Sequence, residues 1–285
     1  MKNLLYYGNC QVGSLNNIIK KSFSDYNITI VLCWMDNIDK NDFLNKIQQA
    51  DIIITQPINP NYKNTNYLHT EFILENANEN AKIIIFPSLH FNFYYFDLKY
   101  KTLKDNTLLR EPSDYHYGEL INYYLENKSE IDFFNEIIEN PTFKLTVELE
   151  NIAIDSINEL EKRENEISKY NNIRECLIIK SSKFIEENYK KKLLFYSMNH
   201  PAKYIFHYIA ELILDHLSID KNINYEIDSL YNHERGLLYN CIQQVVYFDI
   251  SKENPRLHNY NLEDKNKIIN KYYDTYKKNN LHNIQ

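Results

Sequence analysis

Apolar and polar positions alternate in blocks over the first hundred residues. Residues 4–7 form a short apolar run, and residues 11–23 then place Val12, Leu15, Ile18 and Ile19 at helical spacing. A strand, a tight turn and a helix are predicted. Residues 28–34 read as a second strand and 39–50 as a second helix, with Asp39 as N-cap ahead of Phe43, Leu44 and Ile47. Residues 52–55 supply a third strand, 67–78 a third helix, and 82–86 a fourth strand closed by Pro87 and Ser88. Short, nearly continuous apolar strands separated by amphipathic helices predict an α/β fold: a parallel sheet covered on both faces, Rossmann-like or flavodoxin-like.

Beyond Leu98 the strand signal fades. Residues 115–126, 130–139, 143–170 and 173–190 read as helices, residues 193–197 as one more short strand, and 262–278 as a polar helix. Between them, Met198-Asn199-His200-Pro201 leads into an amphipathic helix carrying Ile205, Ile209, Leu212, Ile213 and Leu217. No repeat or Gly/Ser-rich or Pro-rich linker separates the halves. The expectation is an α/β core over residues 1–100 carrying Cys10 and His90. A mostly helical part, 101–285, is expected to pack on it and complete the site with His200.

Composition narrows the function classes. Hydrophobic residues at 44% and charged residues at 25% are ordinary for a globular chain. The formal net charge of -7 argues against a general nucleic-acid binder, although a local basic patch is compatible with it. The 25 tyrosines accompany many Asn, Lys and Ile residues, a compositional bias rather than a binding stripe. No apolar run approaches a membrane span, and the first residues lack the features of a signal peptide. Cys10, Cys33, Cys176 and Cys241 are widely spaced without a CxxC pair, which suits reduced thiols. A cytoplasmic protein is expected. His207 and Glu211 have half the spacing of a zinc motif, but HExxH is absent, and no metal is expected. Oligomeric state is not legible.

Three short segments carry candidate chemistry. Two of the chain's four glycines, Gly8 and Gly13, flank the turn Gly8-Asn9-Cys10-Gln11 after the first strand, a demand for permissive backbone. In a parallel sheet this turn lies at the carboxyl edge, where ligands bind. A cysteine at a helix N-terminus has its thiolate favoured by the macrodipole, and the free N–H groups there can cradle an oxyanion. Pro87-Ser88-Leu89-His90 follows the fourth strand and brings His90 to the same edge; Gln56 does so after the third. In Asn199-His200-Pro201, Pro201 fits the first helical position and His200 the N-cap, offering a general base beside an amide. Each segment also has a packing reading: Cys10 as a small buried hydrophobe, His90 stacked on Phe91 and Phe93, Asn199 and His200 as caps.

In order and spacing, Gly8-Asn9-Cys10-Gln11, Gln56, Pro87-Ser88-Leu89-His90-Phe91 and Asn199-His200-Pro201 together resemble the WcbI-type polysaccharide-biosynthesis family, over residues 1 to about 217. The resemblance implies a protein of capsular or surface polysaccharide biosynthesis that binds coenzyme A and moves an acetyl group from acetyl-CoA to the hydroxyl of a sugar or glycan acceptor. Cys10, His90 and His200 would be its catalytic residues. Gly8, Asn9, Gln11, Gln56, Ser88 and Asn199 would hold the coenzyme. The turn is also similar to the first block of SGNH hydrolases with cysteine in place of serine. A thiol-dependent esterase or thioesterase, or a non-catalytic coenzyme A- or glycan-binding protein, are the alternatives.

Overall fold

Isoleucine- and leucine-rich segments buried on both sides form the central strands of a parallel sheet, while an edge strand, residues 26–32, stays partly exposed. In this computed structural model, which describes residues 1–230, 236–253 and 262–279, β1 (Lys2–Gly8), β2 (Tyr26–Leu32), β3 (Ile52–Thr55) and β4 (Lys82–Ile85) are joined by a two-residue strand, β5 (Leu177–Ile178). The order in the sheet is β2-β1-β3-β4-β5, every pair parallel. This is the flavodoxin-like order, in which the chain changes direction between β1 and β3 and ligands bind at the carboxyl ends of those strands. The α/β expectation holds, and the order selects between its two variants.

The connecting helices are α1 (Cys10–Ile19), α2 (Lys40–Gln49) and α3 (Thr70–Asn76). Strand side chains alternate between faces. Leu5, Tyr7, Ile53, Ile83 and Ile85 pack with Phe43 and Ile47 of α2 and Ile73 and Leu74 of α3. On the opposite side α1 packs on β1 and on α6 (Lys203–Leu217). Asp39 caps α2 as expected, its side chain accepting from the Asp42 N–H at 2.8 Å. Two further helices are α4 (Thr146–Ile167) and α5 (Ser182–Asn188). Buried Glu164 of α4 accepts from the backbone and hydroxyl of both Ser181 and Ser182, tying α4 to the start of α5.

Several helical expectations change in detail. Residues 173–190 hold β5 before α5, because the free edge of β4 accepts a partner: the Ile179 N–H donates to the Ile85 carbonyl at 2.9 Å. Residues 115–117 are a strand paired antiparallel with Leu98–Tyr100, ahead of the helix Gly118–Leu125. Residues 130–139 divide into an α-turn and a π-helical segment, Phe134–Ile138. The short strand near 193–197 is Phe195–Ser197, and the helix 262–278 is present.

The chain does not divide once near residue 100. Among the described residues, one compact unit comprises 1–90, 157–187 and 200–230, and the other 91–156, 188–199, 236–253 and 262–279. Cys10, His90 and His200 all belong to the first. The second is built on aromatic packing, with Tyr117, Tyr239, Tyr272 and Tyr276 buried. Among them Asp97 is 8% exposed and accepts from the Tyr239 hydroxyl at 2.6 Å and from the Glu119 N–H at 3.0 Å.

Burial raises the Asp97 pKa to about 6, more than these donors lower it. A carboxyl whose folded pKa lies above its unfolded value retains its proton in the native state while the unfolded chain loses it. Stability therefore falls as pH rises from about 4 to about 6. Asp97→Asn removes this term: urea unfolding across pH 4 to 7 is expected to show the variant gaining on the wild type by about 2–3 kcal/mol. A pH-independent difference would refute the assignment.

Candidate functional site

Three loops leave the carboxyl edge of the sheet side by side, those after β1, β3 and β4, and two buried glutamines join them. Gln11 and Gln56 are 1% and 2% exposed. The Gln56 Nε2 donates to Gln11 Oε1 at 2.9 Å, and Gln56 Oε1 accepts from the Asn9 N–H at 2.9 Å. Gln11 reaches the third loop in both senses, Nε2 donating to the Leu89 carbonyl at 2.9 Å and Oε1 accepting from the Leu89 N–H at 3.0 Å. A buried amide left unpaired costs about 1–3 kcal/mol, so this closed set holds the loops in one arrangement. The sequence reading placed Gln11 and Gln56 among ligand contacts. Their amides are hydrogen-bonded inside the protein, which shapes the edge.

Asn9 is the N-cap of α1, its Oδ1 accepting from the Gln11 N–H at 2.9 Å. Its Nδ2 donates to Ser88 Oγ at 3.1 Å, bridging to the β4 loop. Cys10 is therefore the first residue of the helix, half-buried. The expected depression of its thiol pKa is not found: burial pushes the thiol up, and the N–H groups of Cys10 and Gln11 only partly offset it. The expected cradle of several free N–H groups is also narrower. The Asn9 and Gln11 donors serve Gln56 and Asn9, and the Val12 N–H donates to the Asn9 carbonyl at 3.2 Å. The N–H groups of Cys10 and Gln11 are also directed at the Cys10 sulfur.

Ser88 also lines a cavity of about 400 Å³, within the usual range of ligand sites. One side is formed by the β3 and β4 loops, with Pro57, Asn59 and Pro87; the other by the last turns of α4 and the residues beyond, with Lys162, Arg163 and Lys169. Sequence reading missed these last three because they lie in a segment that reads as a long polar helix. The available signal was a cluster of cations in a chain of net charge -7.

His90 follows Leu89 directly and is half-buried. Burial, then the field of Arg163, lowers its imidazole pKa, so the ring is neutral and able to accept a proton near pH 7. His200 lies in an extended dipeptide, His200–Pro201. The N-cap of α6 is Ala202, two residues beyond the position expected, so neither Pro201 nor His200 opens the helix. Asn199 belongs to the second unit, where its Oδ1 accepts from the Tyr115 hydroxyl at 2.7 Å and its Nδ2 donates to the Tyr100 hydroxyl at 3.0 Å. The structure thus joins Asn9, Gln11, Gln56 and Ser88 by hydrogen bonds, with Gly8 and Cys10 as their chain neighbours. His207 and Glu211 share Tyr225, the first by ring contact at 4.9 Å and the second by accepting its hydroxyl at 3.1 Å.

The two glycines of the first turn are not equivalent. A Cβ on Gly8 would stand 2.6 Å from Gln56 Oε1 and 2.7 Å from Val12 Cγ1, whereas one on Gly13 meets nothing within 4 Å. Neither has a positive φ. Gly8→Ala is expected to displace Gln56 and destabilise the protein by about 1–3 kcal/mol. Gly13→Ala, inside α1, is expected to be neutral or to stabilise by up to about 1 kcal/mol. Urea midpoints of the two variants, read side by side, check both.

No curated protein matches the sequence. A solved structure of WcbI, described as a novel polysaccharide biosynthesis enzyme in its native form without a disulfide bond between coenzyme A and a cysteine, aligns with a TM-score of 0.73 at 18% identity. The alignment covers 87% of this chain and 80% of that one, and at this identity it speaks for the fold. Residues 3–222 match the family described as polysaccharide biosynthesis enzyme WcbI. With that match spanning the sheet, the glutamine-locked turn and the cavity, the chain belongs to the WcbI family of polysaccharide biosynthesis enzymes.

Proposed function

We propose that this protein is an acyltransferase that moves an acetyl group from acetyl-CoA, as co-substrate, to a hydroxyl of a sugar in capsular or surface polysaccharide biosynthesis, with Cys10 at the reacting centre. The observation that carries the reading is the Asn9–Ser88 bridge, which sets the Cys10 turn beside a ligand-sized cavity at the carboxyl edge of β1, β3 and β4. The description of the solved WcbI structure links coenzyme A with a cysteine; Cys10 and Cys33 both stand at the carboxyl edge here, and of the two Cys10 opens a helix and is half-buried, whereas Cys33 is buried.

The electrostatics favour a neutral resting pair. With the Cys10 thiol pushed up and the His90 imidazole pushed down, neither group is ionised near neutral pH. Attack then requires proton transfer at the moment of bond formation: Cys10 Sγ bonds to the thioester carbonyl carbon as its proton passes to a neutral imidazole, His90 or His200. The Cys10 N–H faces the oxygen that gains charge. Collapse breaks the carbon–sulfur bond to coenzyme A, whose thiolate takes the proton back from the imidazolium. The sugar hydroxyl repeats the sequence on the acetylated Cys10, giving its proton to the same imidazole and releasing the thiol. In this scheme Gly8, Asn9 and Ser88 approach the coenzyme, and Gln11 and Gln56 hold the turn.

Incubation with acetyl-CoA without acceptor, followed by intact-protein mass spectrometry, is expected to show one acetyl group in the wild type and none in Cys10→Ala. Undiminished acetyl transfer by Cys10→Ala to a sugar acceptor would eliminate the covalent scheme. Coenzyme A release without acceptor at the full rate would identify a thioesterase instead.

A further inference from the structure

We propose that the cavity beside Ser88 holds the phosphate groups of coenzyme A on a cationic wall formed by Lys162, Arg163 and Lys169. This assigns a part of the donor to residues that the family motifs do not include, and it rests on the coenzyme reading above.

A chain of net charge -7 repels a coenzyme carrying several phosphate charges, so binding requires local cations. Three of them line one cavity. The same cavity contains two carboxylates, Glu159 and Glu166, but Glu159 already accepts from Arg163 Nε at 2.8 Å. Among the described residues Lys162 and Lys169 have no ion pair, so their ammonium groups are available to an anion. The planar guanidinium of Arg163 can grip a phosphate through two N–H groups while its Nε stays on Glu159.

Placement supports the same assignment. The cations come from α4 and from the segment after it, whereas the facing wall is Pro57, Asn59 and Pro87 with Ser88. That wall carries no cation, so the charge that recognises a phosphate falls on the α4 side, with Asn59 and Ser88 opposite as neutral polar groups. Ser88 is bonded to Asn9, the residue before Cys10. A coenzyme with its phosphates on the α4 wall thus has its thiol arm free to run past Ser88 toward Cys10. The neighbourhood of Arg163 and His90, visible in the lowering of the imidazole pKa, places this wall close to the proposed base as well.

The test uses the full chain and isothermal titration with coenzyme A over a range of salt concentrations. Lys162→Gln/Arg163→Gln/Lys169→Gln alters exposed positions only, and a wild-type melting temperature verifies its fold. The triple variant is expected to bind coenzyme A at least tenfold more weakly, with a shallower dependence of affinity on salt. Lys162→Arg/Lys169→Arg, which keeps the charge, is expected to stay within twofold of the wild type. Wild-type affinity in the triple variant, or an unchanged salt dependence, overturns the cationic wall while leaving the coenzyme reading intact. Failure of the wild type itself to bind coenzyme A overturns both.

Discussion

A primary amide taken out of water must find partners for its oxygen and its nitrogen, and Gln11 and Gln56 do so through each other. This pairing governs the carboxyl edge of the sheet. The β1 turn, the β3 loop and the β4 loop each end a different strand, and the backbone ladder runs only one residue further, the Gln56 N–H donating to Tyr7 and the Phe86 N–H to Thr55. What fixes them relative to one another is the chain Asn9 N–H to Gln56, Gln56 to Gln11, and Gln11 to both backbone groups of Leu89. Gly8 belongs to the same device, because any side chain there would occupy the space of the Gln56 amide. The sheet supplies a platform, and the amide pair turns its edge into a site.

The reactive groups inherit their electrostatics from this arrangement. A helix N-terminus alone would draw Cys10 toward thiolate. Here the capping asparagine and Gln56 consume the neighbouring N–H donors, and burial of the sulfur outweighs what remains. A neutral thiol at a fixed turn is suited to reaction with an electrophile already in place. It is less prone to adventitious oxidation than a permanent thiolate would be. Rigidity of the loops and restraint of the Cys10 thiol have a common origin in the same hydrogen bonds.

The elements legible in the sequence were those with a local signal. β1, α1, the Asp39 cap and β3 follow from periodicity and capping chemistry within a dozen residues, and the position of Cys10 after β1 follows from them. What escaped depended on distant partners. Gln11 and Gln56 are polar and 45 residues apart, so nothing local predicts that both are buried. β5 is two residues long, below any periodicity, and exists because β4 offers an unpaired edge. Pro201 suited the first helical turn by propensity, yet the helix begins after Ala202. The second unit misled in another way, since Tyr115–Tyr117 has the apolar density of a helix start and pairs as a strand.

The cavity shows how far a motif-centred reading reaches. The motifs lie at strand ends, where backbone geometry constrains residue type strongly. Recognition of a long, charged substrate, as proposed above, needs surface well away from such a turn. In the proposed reading that surface comes from α4, a helix contributed after the chain has left the sheet. Its cations sit on a helical face whose neighbours are also charged, so composition along the segment conceals them. Only the packing of α4 against the β3 and β4 loops gathers Lys162, Arg163 and Lys169 around one space, opposite Ser88 and its bond to Asn9. In the proposed reading, the chemistry is specified at the turn and the choice of donor by the helix that lines the cavity.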